Sequence, residues 1–488
     1  MTQQHLDRLS AIDTGFIAQE GPTTHMHIGG VVLLDGDPPD YTAFLAHIRS
    51  RLHLVPRYRQ KLAIPPMDTG RPLWIDDPTF NLEYHVRHTA LPAPGDREAL
   101  HTLLARIFSQ RLDRSKPLWE MWLVEGLEDG GSALISKAHH ALVDGIAGVD
   151  LTTVLFDTSP EGSEVKAPEP WIPKPAPSGA QLAAKGLEGG VRRMSELAAG
   201  VLGVVTNPSE IARRAGDVAE GLGEVARTYL SAPPATPFNV PPGPHRRVAV
   251  VDAELAELKE VKDAFGGTVN DVVLTVVGGG LAHFMRERGV DTTGMELRAC
   301  VPVSLRTESQ RGALGNEITI MMAPLPVDEG DPVARLRRVS AEMDELKSSK
   351  QAMGAQAIAS LQDFAPPTVF AQASRLNFSG RMYNLLVTNV PGPQFPLYVL
   401  GRRMQRIYPM PFLAGDRALA IAIMSYDGGM NFGLLGDYDA MPDLDLVAEG
   451  IEGSLGELLM LARKAKRVES RKAKRRAPAA ARKTPSRS

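Results

Sequence analysis

The stretch "SALISKAHHALVDG", Ser132 to Gly145, decides how the chain is read. Residues 132–140 have the composition and length of a β-strand, and two histidines close it. Just upstream, "LWEMWLVEGL" (118–127) reads as a second strand, joined to the first by "EDGG" (128–131). Strand, Gly-rich turn and strand predict a hairpin. On a continuing strand, His139 and His140 point to opposite faces. Asp144 and Gly145 follow within one short turn. Four such residues at a buried strand end leave three readings: chemistry, a metal site, or packed imidazoles with a capping aspartate.

Elements of the same kind surround the hairpin. Before it come a strand at 27–36, a helix at 41–52, a strand at 81–91 and an amphipathic helix at 96–112. The order restarts after Arg246. A strand and helix lead into a long helix from Asn270 to Arg288, closed by Gly289. Strands are expected in "ELRACVPVSLR", "EITIMMAPLPV" and "YNLLVTNVPGP", helices over 332–350 and 354–380, a hairpin in "LAIAIMSYDGGMNFGLLGD", and a terminal helix over 443–466. Pro-rich stretches at 159–178 and 231–245 read as linkers around a helical connector. The expected organisation is an α/β half at 1–158, a linker and connector at 159–245, a second α/β half at 246–462, and a basic, disordered tail at 463–488.

Composition narrows the function classes. The 488 residues are 43% hydrophobic and 23% charged, as in a globular protein of more than one core. The formal net charge of −3 gives no global attraction to nucleic acid. The charge is uneven, however. Residues 463–488 hold twelve Lys and Arg against Glu469 alone, about +11, which leaves about −14 on the rest. Such a tail reads as a solvated end, a contact for an anionic lipid surface, or a nucleic-acid contact. The single cysteine, Cys300, excludes an internal disulfide and fits a reducing cytoplasm. The N-terminus "MTQQHLDRLS" has no apolar core of a secretory signal. The longest apolar run, "DVVLTVVGGGLAHFM" (271–285), falls short of the ~20 residues of a membrane span.

Motifs for several chemistries are missing. There is no G-x-S-x-G elbow, no phosphate loop, no dinucleotide fingerprint and no H-E-x-x-H. The glycines in "VVGGGLAHF" lie inside a helical pattern, which points to close helix packing. Cys300 sits in an apolar strand and reads as an inert thiol. A metal needs three convergent ligands, and two histidines that point apart do not supply them. A general base needs one imidazole with a pKa near neutral, support, and space beside it. Asp144 can supply the support and Gly145 the space.

Read as H-H-x-x-x-D-G, "HHALVDG" resembles the signature of the CoA-dependent acyltransferase superfamily, which includes nonribosomal-peptide condensation domains. Further blocks narrow the resemblance: "LSAIDTGFIAQEGPTTHMHIGG" (9–30), "PLWE" (117–120), "VNDVVL" (269–274), "VTNVPGP" (387–393) and "SYDGGMNFGLLGD" (425–437). In this order they resemble the bacterial wax ester synthase/acyl-CoA:diacylglycerol acyltransferase family, with Thr388 where that family commonly has serine. The basic tail lies outside the resemblance.

The resemblance implies two chloramphenicol-acetyltransferase-like domains with a channel between them. His140 carries over as general base, His139 as its supporting neighbour, and Gly145 as clearance for substrate. Asp144 either orients the imidazole or, as the superfamily suggests, props the loop; propping is favoured. Asn270 and Asp271 either cap their helix or support the channel. Thr388 and Asn389 are expected on a strand that crosses between domains, where Thr388 can donate to an oxyanion or simply pack. A buried acyl chain contributes ~0.8 kcal/mol per CH₂, so an apolar tunnel is expected. Met321, Met322, Phe412 and Met424 can line it or pack the core.

The implied activity is transfer of a long-chain acyl group from acyl-CoA to diacylglycerol or a fatty alcohol. No cofactor, metal or acyl-enzyme is required, and acyl-CoA is a co-substrate. The expected location is the cytoplasmic face of the membrane or a lipid inclusion. Two alternatives stay open: a carrier-protein-dependent acyltransferase of complex lipid or peptide biosynthesis, and a catalytically silent lipid-droplet protein.

Overall fold

The computed structural model describes residues 6–66, 70–142, 154–163, 165, 169–184, 232–304, 318–348 and 382–476. The first half contains β1 (Asp7–Arg8), α1 (Ala11–Gln19), β2 (His27–Leu34), α2 (Tyr41–Arg51), β3 (Gln60–Ala63) and β4 (Leu73–Asp76). It continues with α3 (Leu82–His85), β5 (Val86–Ala90), α4 (Arg97–Ser109), β6 (Trp119–Glu125) and β7 (Ser132–His139). The second half opens with β8 (Arg246–Glu254), α5 (Leu255–Phe265), α6 (Val269–Glu287), β9 (Glu296–Ser304), β10 (Ile318–Pro326) and α7 (Pro332–Ser348). It closes with β11 (Leu385–Pro391), β12 (Tyr398–Val399), β13 (Arg402–Met410), β14 (Leu419–Tyr426), β15 (Gly429–Asp437) and α8 (Asp445–Arg476).

Each half is built on a six-stranded sheet. The second is ordered β10-β9-β11-β14-β15-β8 and the first β12-β13-β2-β7-β6-β5. The first sheet corrects the contiguous domain boundaries. β12 and β13 come from late in the chain, yet β13 pairs with β2, from Met404 opposite Leu34 to Met410 opposite Gly29. The strand of Thr388 and Asn389, β11, was expected to cross and does not; it stays between β9 and β14. β11 was legible by its own pattern, whereas β12 and β13 were not among the expected strands, and which sheet a strand joins is a nonlocal choice.

The two hairpins form as expected. β6 and β7 pair antiparallel. β14 and β15 turn through Asp427 and Gly428, with φ of 43° and 87°, as a two-residue turn with both central residues left-handed requires. The expected strand at 81–91 is instead the one-turn α3 followed by β5. The Asn81 side chain accepts from the Glu83 N–H and caps that turn. The Pro-rich stretches are fastened rather than free. Trp171 lies under the Arg59 guanidinium, and Phe238 is fully buried in the second core.

Core packing explains the helices. α2 buries Phe44, Leu45 and Ile48 against the first sheet. α6 is buried from Asp271 to Phe284 on nearly every side, between its sheet and α8. A Cβ at Gly280 would stand 2.6 Å from Ile451 Cγ1, so its glycines do serve close helix contact. α5 and α6 together have the length and composition of a span but meet at 99°, and no single described helix is long and apolar enough to cross a membrane. A third cluster joins the halves. It holds Val31, Ala133 and Ile135 of the first sheet, Val248, Val250, Cys300 and Leu435 of the second, and Tyr408, Met410 and Phe412 of the crossing segment.

α8 corrects the expected tail. The helix runs fourteen residues past 462, to Arg476. Residues 463–476 hold only good or neutral helix formers and no Pro or Gly, and the first breaker is Pro478.

The crossover can be tested at Gly433 of β15, where a Cβ would lie 1.8 Å from the Pro409 carbonyl oxygen of β13. Gly433→Ala should lose about 1–3 kcal/mol by overpacking. Gly453, in α8 with open space around it, should gain roughly 0.5–1 kcal/mol as alanine. Urea midpoints check both, and equal midpoints for the two variants would contradict the close approach.

Candidate active site

β7 ends at His139, and the chain turns just after one further bond, to the residue ahead of the neighbouring β2. The His140 N–H donates to the Met26 carbonyl at 2.8 Å, and Leu142 N–H turns back to the His139 carbonyl. The two imidazoles therefore diverge into different surroundings.

His139 faces a buried polar cluster. It pairs across the sheet with His27, and the two rings lie edge to face at 5.9 Å. The Ala141 N–H donates to His139 Nδ1 at 3.1 Å, which leaves the ring proton on Nε2. The nearest carboxylate is Glu20, 3.9 Å from that nitrogen and 3.7 Å from His27 Nε2. The Glu20 side chain is 1% exposed and is held by Arg114, whose Nε donates to Oε2 at 2.6 Å, and by Arg111 at 3.4 Å. Burial, then the Arg114 charge, pushes the His139 pKa down to about 3; burial also lowers that of His27. Both imidazoles are neutral, so Glu20 is balanced by the arginines.

Arg114 Nη2 also donates to the Ile17 carbonyl at 2.8 Å, in the last turn of α1. A helix leaves such carbonyls unpaired, and a cation there is favourable. Lys137 does the same for α4. Its buried Nζ donates to the Ile107 and Gln110 carbonyls at 2.7 and 2.9 Å and lies 2.6 Å from Glu120.

His140 lies in the apolar cluster between the halves. Phe16 of α1 stacks on its ring at 4.0 Å with planes 24° apart, and Phe412 meets it edge-on at 5.8 Å. Its Nδ1 is buried with no hydrogen-bond partner among the described residues. Burial lowers the pKa to about 4, opposed only by the ring's own backbone. His140 is thus neutral at physiological pH, and its pKa lies below the near-neutral value expected of a general base. Cavities of about 430, 290 and 240 Å³ lie elsewhere, and none is lined by either histidine. The expected channel is therefore not among them. Phe16, Glu20 and His27 were not singled out in the sequence, although all three stand in the 9–30 block.

A second group gathers at the start of α6. Thr268 caps it, and Asp271 closes the capping box by accepting from the Thr268 N–H at 2.8 Å. Asp271 is fully buried and also accepts from Ser340 Oγ at 3.3 Å. Asn389 Nδ2 donates to Asn270 Oδ1 at 3.2 Å, which ties β11 to α6. Thr388 pairs with Ala422 in the sheet. Among the described residues, no hydrogen bond joins this group to His140. Asp144 and Gly145 lie outside the described residues. Of the candidate tunnel residues, Phe412 reaches His140 and Met321 packs in the second core. Cys300 is buried, and its thiol is pushed up to about 12, which removes it as a nucleophile.

Comparison with known proteins shows the family. Residues 9–273 match the wax ester synthase/diacylglycerol acyltransferase catalytic domain, and 314–459 match the WS/DGAT C-terminal domain. A probable diacylglycerol O-acyltransferase of Mycobacterium tuberculosis is 34% identical over 473 residues, 94% of this chain and 97% of its own. A putative one from the same organism is 36% identical over 464 residues, 93% and 90% of the two chains. Among solved structures, the wax ester synthase/diacylglycerol acyltransferase of Marinobacter aquaeolei aligns with a TM-score of 0.64 and 25% identity over 93% of this chain and all of its own. The first condensation domain of the calcium-dependent antibiotic synthetase shares the fold, with a TM-score of 0.57 at 17% identity over 94% and 97%.

The Glu20 clamp makes a stability prediction. Glu20→Ala should cost roughly 2 kcal/mol, the scale of lost hydrogen bonds to a charged group, reduced where water reaches Arg114. The urea midpoint should fall, and an unchanged midpoint would show that Arg114 does not depend on the carboxylate.

Proposed function

The chain belongs to the wax ester synthase/diacylglycerol acyltransferase family, and from that premise we propose that it transfers a long-chain acyl group from coenzyme A to the hydroxyl of diacylglycerol or a fatty alcohol, with His140 as general base. The observation that carries this reading is the neutral His140 imidazole, held at a strand end in the apolar seam between the halves. A thioester is already activated, so alignment and removal of the hydroxyl proton are the remaining tasks.

The alcohol oxygen attacks the thioester carbonyl carbon while its proton passes to the His140 imidazole. The carbon–oxygen bond forms and the carbonyl becomes an oxyanion. Collapse breaks the carbon–sulfur bond, and the imidazolium returns its proton to the thiolate as free CoA leaves. No bond to the protein forms. Phe16 and Phe412 cover the half-buried ring and keep the base uncharged until a hydroxyl arrives. His139 serves as a positioning residue, because its Nδ1 already accepts from the Ala141 N–H and its ring faces the Glu20 cluster rather than the seam. Asp144 props the following loop and Gly145 leaves room for substrate. Asn270 and Asn389 hold α6 against β11, with Asp271 capping the helix, and Thr388 packs within β11. The acceptors dissolve in lipid, so the enzyme works at the cytoplasmic face of a membrane or at a lipid inclusion.

Incubation of the pure protein with palmitoyl-CoA and either diacylglycerol or hexadecanol, with the neutral lipids then resolved, tests the activity; no triacylglycerol or wax ester would refute it. His140→Ala should lower turnover roughly 10²–10⁴-fold while the protein stays folded, and near-normal turnover would sink the mechanism. The pH profile gives a second check. His140 accepts its first proton only near pH 4, so the base is available above that pH and lost below it. kcat/KM, which reports the free enzyme, should show no histidine limb between pH 6 and 7. A midpoint near 6.5 would argue for an exposed base instead.

A further inference from the structure

The distal part of α8 has no role in the chemistry above. The helix packs on α6 through Ile451, Leu455, Leu458 and Ala462. From Lys466 to Arg471 every residue is exposed. At 100° per residue, Met460, Lys464, Arg467, Val468 and Arg471 fall within an arc of about 100°. Glu469, the one acid beyond 462, falls on the opposite side, in line with the packing face. The outward arc is therefore both basic and apolar: Met460 is 62% exposed and Val468 45%.

This arrangement is costly for a helix alone. Arg463, Arg467 and Arg471 are spaced i,i+4, where like charges repel. Arg463 is relieved by Glu260 at 3.3 Å and Glu257 at 3.9 Å on α5. No hydrogen bond or ion pair with an acidic side chain holds Arg467 or Arg471 among the described residues. Seven more Lys and Arg follow between 472 and 488, whereas residues 1–462 carry about −14.

We propose that this outward flank of α8, centred on Lys464, Arg467, Val468 and Arg471, docks on an anionic phospholipid surface. Phosphate groups neutralise the i,i+4 repulsion, and guanidinium groups match them well. The apolar members favour lipid over nucleic acid, since Met460 and Val468 can enter the acyl boundary while phosphodiester strands offer them nothing. The acidic body is repelled by the same surface, so contact is confined to this end of the molecule. The inference rests on the reading above that the acceptor alcohol is dissolved in lipid.

Flotation of the full chain with phosphatidylcholine vesicles, with and without phosphatidylglycerol, tests it. The parent should bind the mixed vesicles and little of the neutral ones, and binding should fall as salt shortens the screening length from ~30 Å at 0.01 M to ~3 Å at 1 M. Replacing Lys464, Arg467 and Arg471 together by alanine should weaken binding to mixed vesicles roughly 10- to 100-fold at low salt. Val468→Ser should weaken it by a smaller factor and leave any binding to duplex DNA unchanged. Acyl transfer to a short-chain alcohol in detergent micelles should be the same for all variants, which shows that they are folded. Equal vesicle binding by parent and triple variant overturns the proposal, as does no binding by the parent. Tighter binding to duplex DNA than to mixed vesicles at the same salt, with DNA stripping the protein from them, assigns the flank to nucleic acid and overturns it too. Loss of transfer in micelles with vesicle binding intact refutes the acyltransferase reading and leaves the docking surface standing.

Discussion

The site depends on keeping one imidazole uncharged inside an apolar seam. An ionised histidine between Phe16 and Phe412 would lose its hydration and gain no counter-ion, so burial selects the neutral form. That environment cannot be made locally. His140 comes from the end of β7, Phe16 from α1, and Phe412 from the segment that leaves β13. Three distant parts of the chain must dock before this imidazole has its stacked, neutral setting.

The docking of those parts is polar rather than apolar at its edges. Arg114 and Lys137 each hold the last carbonyls of a helix, α1 and α4, and each is balanced by a buried carboxylate, Glu20 or Glu120. These pairs satisfy groups that would otherwise be stranded in the interior. They fix where α1 ends, and so fix where Phe16 stands. His139 borders the Glu20 cluster while His140 borders the phenyl rings. The two adjacent histidines therefore share a pKa direction, but for different further reasons: a nearby arginine for His139, and little besides burial for His140.

The crossing strand gives the halves a reason to hold together. β13 completes the first sheet against β2 and its Pro409 lies over Gly433 of the second. Separating the halves would break a strand ladder as well as an apolar interface. The seam beside His140 is thus part of the fold's own core, and this imidazole gains its low pKa from the packing that joins the two sheets.

Much of this was legible in the chain itself. The strand that ends in His139, both hairpins, the capped start of α6 and the glycine contact inside it follow from short-range rules: alternation, turn residues, caps and helical spacing. So did the likeness carried by the motif order from residue 9 to 437, which the family matches bear out. The tertiary structure alone decided the rest. Nothing near residue 406 says that it pairs with residue 33, because sheet partners are chosen by burial across the whole molecule. Phe16 and Glu20 look like ordinary members of a helix and a turn until folding sets one on His140 and the other under Arg114. The basic end also reads as a disordered tail by charge alone, yet its alanines, lysines and arginines extend a helix that the core has already nucleated, which removes the cost that would keep an isolated segment unfolded.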